Sequence, residues 1–233
     1  MFSFPFFLIN SVERSKIMAD IKTEKIELRK QIISAANIYK NQLAGRVFLY
    51  VYGDEYFEVA YLTESFKHLT GVESSLKGKS FYDNAKNATL AASQIGFSTR
   101  HPLKTAKKKV RCLHRLPELT NGLVCVVKDM NTVTITYKLG ITNLSFTVGL
   151  TEHIDPSGKK LDNWFVPRTL RINDKALDNS KDAEFIDFIF SKKVTEPTYT
   201  ELCYADPQLH IPENVRPLLD AALLNETPEP QPV

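Results

Sequence analysis

An α+β fold, with N-terminal helices followed by an antiparallel β-sheet, is what this sequence predicts. Three observations carry the expectation. A helical repeat of apolar residues stands early in the chain, and β-branched and aromatic runs fill much of the second half. The breaks between those runs are also too short for the crossovers that parallel strands need. At 233 residues, with 43% hydrophobic and 24% charged residues, the chain has room for one sizeable domain with appendages and an ordinary globular composition. Collagen, a wholly disordered chain and a polytopic membrane protein are excluded on those numbers.

Each element has a local reason. Leu28, Ile32, Ala35, Tyr39 and Leu43 recur every three or four positions, predicting a helix over 22–43 that Gly45 stops. The runs 46–52 and 55–62 around Gly53-Asp54 predict a hairpin. Thr63 and Gly71 bracket a short helix, and 79–95 has helical composition. Pro102 opens the clearest amphipathic helix, 102–116, with Leu103, Ala106, Val110 and Leu113 on one face. Strands follow at 123–128, 132–139, 141–150 and 164–172, with Gly140 as a break. Residues 184–190 suit a strand or a short helix, and 214–224 a closing helix.

The ends differ from the middle. Met1–Asn10 is apolar but far short of the ~20 residues that span a bilayer. It also lacks the basic flank and small-residue cleavage site of a signal peptide. Met18 begins a polar stretch, so residues 1–17 are expected to be a spurious or flexible extension. Residues 18–44 would then hold the N-terminal helix, 45–195 the main α+β domain, 196–224 a helical appendage and 225–233 a Pro-rich tail.

Charge is concentrated in one place. Arg100, Lys104, Lys107, Lys108, Lys109, Arg111 and Arg115 place seven cations and no acid in residues 100–115, in a chain whose net charge is +3. On the helix, Lys104, Lys107, Lys108, Arg111 and Arg115 form a ridge largely opposed to the apolar face. Such a ridge is either a solvated surface or a track for a polyanion, whose phosphates would relieve the repulsion. The apolar face lacks the Trp or Phe that would favour a membrane surface.

Other chemistries find less support. Lys77-Gly78-Lys79-Ser80 ends like a P-loop, but Gly71 stands seven positions before Gly78 where the phosphate cradle needs five. His68, His101, His114, His153 and His210 form no short pair, and no metal or other cofactor is expected. No G-x-S-x-G is present. Cys112, Cys125 and Cys203 are too few for a disulfide framework and read as reduced thiols, with Cys112 expected to be the more acidic because it lies beside the cationic ridge. His68, ending its helix, either helps cap it or titrates near neutrality. Lys138 and Arg168 fall inside strands, where they are either solvated or line a concave site. With Thr142, Ser145, Thr147 and Thr151 nearby in sequence, such a face could hold a phosphate.

The strings Phe66–Gly71 (FKHLTG), Ala106–Lys109 (AKKK), Tyr137–Asn143 (YKLGITN), Phe146–Leu150 (FTVGL) and Val166–Arg171 (VPRTLR), in this order, resemble a phage-associated family grouped with the barnase, EndoU, colicin and RelE-like ribonuclease toxins. The resemblance spans about residues 40–195. It implies an N-terminal helical part before an antiparallel sheet whose face holds the active site. It implies a metal-independent endoribonuclease toxin or effector of phage or mobile-element origin acting on cellular RNA in a bacterial cytoplasm, with an immunity or antitoxin protein as a further partner. Within that reading His68 is the candidate acid or base, and Lys138 and Arg168 stabilise the phosphorane. Thr142 and Thr147 orient the phosphate, and the helix 102–116 tracks the RNA. The alternative is a non-catalytic phage-derived protein that binds nucleic acid or a host protein through that helix.

Overall fold

The structure is a computed structural model and describes residues 11–131, 136–172 and 181–226. The expectations for residues 1–10, the alternation over 132–135 and most of the tail lie outside these. Helix α1 (Ser11–Gln42) leads into the hairpin β1 (Arg46–Tyr52) and β2 (Glu55–Ala60). Two short helices follow, α2 (Ser65–Thr70) and α3 (Gly78–Lys86), then the basic helix α4 (Leu103–Leu113). The second half holds β3 (Cys125–Asn131), β4 (Thr136–Thr142), β5 (Phe146–Ile154), β6 (Lys160–Ile172), β7 (Lys181–Phe185), β8 (Phe188–Lys193) and β9 (Glu201–Ala205), with α5 (Ala221–Glu226) last. This is the α+β arrangement expected from the sequence.

The strands form one sheet in the order β7-β3-β4-β5-β6-β2-β1-β8-β9. Neighbours are antiparallel, except that β2 meets β6 in parallel at Val59 and Phe165. The linear order conceals a curl. β7 lies at one edge and β8 near the other, yet only Ile186 and Asp187 separate them. Two linking residues span only several ångströms, so the edges must come together. At this junction Ile186 N–H donates to the Val124 carbonyl (2.9 Å) and Asp187 N–H to that of Val51 (2.8 Å). Lys128 on β3 reaches both Glu55 on β2 (3.5 Å) and Glu184 on β7 (2.9 Å).

The curled sheet wraps the helices. Leu28, Ile32, Ala35, Tyr39 and Leu43 are all buried, as their spacing requires, and pack with Phe66, Phe81, Val110 and the inward residues of β1, β2, β5 and β6. Tyr39 anchors this core. Its ring meets Phe66 and Tyr82 edge-on (5.2 and 5.7 Å between centroids), and its hydroxyl donates to the Leu62 carbonyl at 2.8 Å. The outer face of β1, β2 and β8 is covered by Tyr199, Ile211, Val215, Leu219 and Leu223, so much of residues 196–224 is integral to the core.

Three local expectations change. The closing helix reduces to a 3₁₀ turn (Arg216–Leu218) and α5, because Leu219 is extended. The Leu218 carbonyl accepts Tyr199 N–H, and Asp220 N–H donates to the Tyr199 carbonyl. Gly140 is not a break. It sits within β4 opposite Gly149 of β5, and a Cβ on Gly149 would fall 2.7 Å from Met130 and 2.8 Å from Thr169. The turn instead forms at 143–145, where the Asn143 side chain accepts the backbone N–H groups of Ser145 and Phe146.

Candidate active site

Helix α2 places His68. Phe66 and Leu69 are buried in the core, so Lys67 and His68 turn outward, and Gly71 (φ +71°) ends the helix in the left-handed conformation. Thr63 does not cap it, since its hydroxyl bonds the Glu64 carboxylate (3.0 Å) and the N-cap makes no side-chain bond. Lys67 Nζ donates to the carbonyls of Ser74 (2.8 Å) and Leu76 (2.5 Å), tying the following loop to α2.

Strand β6 places Arg168 by a bulge. Gly149 pairs with Thr169, but the next residue, Leu150, pairs with Pro167, leaving Arg168 as the extra residue. Bulges re-aim side chains, and Arg168 meets a residue of α2. Its Nη1 lies 2.7 Å from His68 Nε2. Guanidinium can only donate, so Nε2 accepts and the neutral ring carries its proton on Nδ1. Although His68 is exposed as a residue, its ring is crowded. That partial burial, then the positive charges of Arg168 and Lys67, pushes its pKa from 6.5 down to about 4. At neutral pH it is an uncharged base with its acceptor nitrogen held by a cation.

His68 also lines a cleft of ≈ 650 Å³ with Lys67, Glu73, Ser74, Gln94 and His101 among the other walls. The volume is that of a small-molecule or nucleotide site. Sequence reasoning missed these walls. They come from two loops that are brought together by backbone hydrogen bonds between Glu73 and Gly96 (3.0 and 2.7 Å), and no motif marks either loop.

The other sequence candidates lie elsewhere. Lys138 is mostly exposed and sits 3.5 Å from Glu152, which Lys160 approaches at 3.8 Å. Thr142 and Thr147 face each other across β4 and β5 and are 1% and 3% exposed. Thr142 donates to the Phe146 carbonyl (3.0 Å) and accepts Leu144 N–H (3.0 Å), so it holds the turn. Burial thus removes both threonines from any phosphate in solvent. Of the five candidates, the structure joins only His68 and Arg168 by a hydrogen bond.

The ridge on α4 is narrower than its sequence suggests. Lys107 pairs with Glu24 (2.7 Å), and Arg115 makes a bidentate pair with Glu118 (2.7 and 2.8 Å). Lys109 lays its stem against Gly71. Lys104, Lys108 and Arg111 stay exposed, and among the described residues they have no ion-pair partner. At Cys112 the Arg115 charge lowers the thiol pKa as its cationic setting implies, but burial outweighs it and pushes the thiol up, as burial also does at Cys125. Among the described residues no three His, Cys, Asp or Glu side chains converge as metal ligands, and no helix is long and apolar enough to cross a membrane.

Comparison with protein families matches residues 31–208 to the phage-Barnase-EndoU-ColicinE5/D-RelE like nuclease4 family. The chain belongs to this family. It is therefore a barnase/EndoU-like nuclease of phage type by family, and nucleic acid is its expected substrate class. No curated protein and no solved structure matches it. The match takes in α2 and β6, the two elements that carry the His68–Arg168 pair.

The pair also sets a pH dependence of stability. Between pH 4 and 6.5 the unfolded chain protonates His68 while the folded chain does not. The unfolded state binds more protons there, so this residue makes stability decline as pH falls from about 6.5 toward 4, with no such effect above 6.5. Urea midpoints at pH 7 and pH 4.5 for the wild type and His68→Gln check this. The variant is expected to lose less stability on acidification.

Proposed function

We propose that the protein is a metal-independent endoribonuclease of the toxin or effector type, of phage or mobile-element origin. The observation that carries this reading is the neutral His68, held by Arg168 at 2.7 Å beside a cleft of nucleotide size. When RNA enters, Arg168 shifts its hydrogen bond from His68 to a non-bridging oxygen of the scissile phosphate, a contact suited to guanidinium. His68 Nε2 is thereby freed. The phosphate anion raises the pKa of His68 from its low starting value toward the range of an effective base.

His68 then accepts the proton of the ribose 2′-hydroxyl. The 2′-oxygen bonds to phosphorus, the bond from phosphorus to the 5′-oxygen breaks, the departing oxygen takes up a proton from solvent water, and the His68 imidazolium returns its proton to solvent. The products are a 2′,3′-cyclic phosphate and a 5′-hydroxyl. Arg168 remains on the phosphate while negative charge builds there. Lys104, Lys108 and Arg111 follow the RNA backbone, and Lys138 supplies a further exposed cation on β4. A cytoplasmic setting and an immunity or antitoxin partner extend the same reading. The test is RNA cleavage in the presence of a chelator, with analysis of the product ends.

A second reading is favoured by Lys104, Lys108 and Arg111, the cations of α4 without an ion-pair partner among the described residues. A protein that binds nucleic acid or a host protein without cleaving it needs that stripe and not the His68–Arg168 pair. Binding without cleavage selects it.

A further inference from the structure

We infer that α1 carries a second RNA subsite outside the catalytic cleft, one that holds the sugar–phosphate backbone and reads no base; the inference rests on the nuclease reading of His68 and deepens it. Between α1 and the short turn Ala92–Gln94 lies a separate hollow of ≈ 350 Å³, lined by Ile21, Lys22, Lys25, Ile26, Ala92 and Ser93. Ser93 also lines the cleft of His68, so the two hollows meet at that residue. The segment between them is fastened on both sides. Arg29 of α1 donates to the carbonyls of Leu90 and Ala88, the latter at 3.1 Å, and Gly96 exchanges backbone hydrogen bonds with Glu73. The other wall exists because α1 overhangs the core. Ile21 stands two turns before Leu28 on the same helical stripe, yet Ile21 is 45% exposed where Leu28 is 1%. The family match begins at residue 31, so this overhang is an addition to the shared nuclease domain.

The chemistry of the hollow selects its occupant. Lys22 and Lys25 are its charged lining residues, and neither makes an ion pair among the described residues. Nearby acids of α1 turn to other cations, Glu24 to Lys107 (2.7 Å) and Glu27 to Lys30 (3.8 Å), while Asp20 stands exposed outside the lining. Two cations with no carboxylate, beside two exposed isoleucines, suit an anion that has an apolar part. A nucleotide has both, a phosphate for the lysines and a ribose for Ile21 and Ile26. Because the hollow joins the catalytic cleft at Ser93, the ligand that reaches both is one continuous RNA strand. Lysine contacts to phosphate position a strand and carry no sequence information. Affinity therefore grows with strand length beyond the nucleotides that the cleft itself holds.

The test measures binding of the full-length protein to 2′-O-methyl oligoribonucleotides, which lack the attacking hydroxyl, from a dinucleotide upward in length. Fluorescence anisotropy at two salt concentrations compares the wild type with the double variant Lys22→Gln/Lys25→Gln, which keeps good helix formers in α1. The double variant is expected to bind the dinucleotide as the wild type does and longer strands severalfold more weakly. Its slope of log affinity against log salt for the longer strands should flatten by about 1.4, two phosphate contacts at about 0.7 each. Ile21→Gln is expected to weaken the longer strands and leave that slope unchanged. If the double variant melts lower, the exposed Lys22→Gln alone carries the test, with half the change in slope. Unchanged affinity at every length, or an equal loss for the dinucleotide and the longer strands, overturns the subsite. So does an acidic protein that docks on Lys22 and Lys25 while RNA binding is unaffected by their loss. The readout is binding alone and so separates the two claims. A length-dependent loss in a protein that cleaves no RNA keeps the subsite and removes the nuclease reading. RNA cleavage with no such loss keeps the nuclease and removes the subsite.

Discussion

Alanine at position 68 is expected to lower the rate of RNA cleavage by about 10²- to 10⁴-fold, the usual contribution of a positioned acid or base. Arg168→Ala is expected to cost about 10²- to 10³-fold, the loss that follows removal of one group stabilising developing charge. The double variant should be little worse than the poorer single one, because the residues serve one phosphate and their losses do not add. Both residues stand at the surface, but the His68 ring is partly buried against Arg168, so a melting curve for each variant accompanies its activity. Single-turnover cleavage by folded proteins is the measurement. A His68→Ala variant that retains full activity would remove His68 from the chemistry.

The effect differs for the cations of α4. Replacing Lys104, Lys108 and Arg111 with Gln keeps good helix formers in place. It removes the three cations of the helix that lack acidic partners among the described residues. Each contact between a cation and a single-strand phosphate contributes about −0.7 to the slope of log affinity against log salt. Loss of three contacts should flatten that slope by about 2 and sharply weaken RNA binding at low salt. Lys107→Gln and Arg115→Gln should do less, because each of those cations already sits against a carboxylate. Filter binding at two salt concentrations distinguishes the two outcomes. An unchanged slope in the triple variant would mean that α4 is only a solvated face.

Much of the fold was legible because it rests on local periodicity. The stripe from Leu28 to Leu43, the hairpin around Gly53 and the apolar face of α4 each carry their own signal, and each is buried as that signal requires. What could not be read depends on contacts between distant segments. The curl of the sheet follows from the bend at Ile186 and Asp187, which the run 184–190 conceals as one apolar stretch. Gly140 looked like a break because its reason for being glycine is the close approach of Val127 (3.0 Å) and Thr147 (3.2 Å) from the neighbouring strands, to where a Cβ would stand.

The same division applies to the site. His68 and Arg168 were identifiable as chemistry-bearing residues on exposed positions. Their contact depends on a one-residue bulge in β6, and bulges leave no reliable mark on sequence. Thr142 and Thr147 misled because a hydroxyl that holds a turn or packs across strands reads like one that binds a ligand. Glu73, Gln94 and His101 were missed because their loops converge only through the bridge between Glu73 and Gly96.

The most direct measurement is the chemistry of the cut ends. Single-stranded RNA is incubated with the full-length protein in excess chelator, and the fragments are analysed by mass. Cleavage is expected to leave a 2′,3′-cyclic phosphate, or the 3′-phosphate it hydrolyses to, opposite a 5′-hydroxyl. Intact RNA, or fragments ending in a 3′-hydroxyl and a 5′-phosphate, would contradict it.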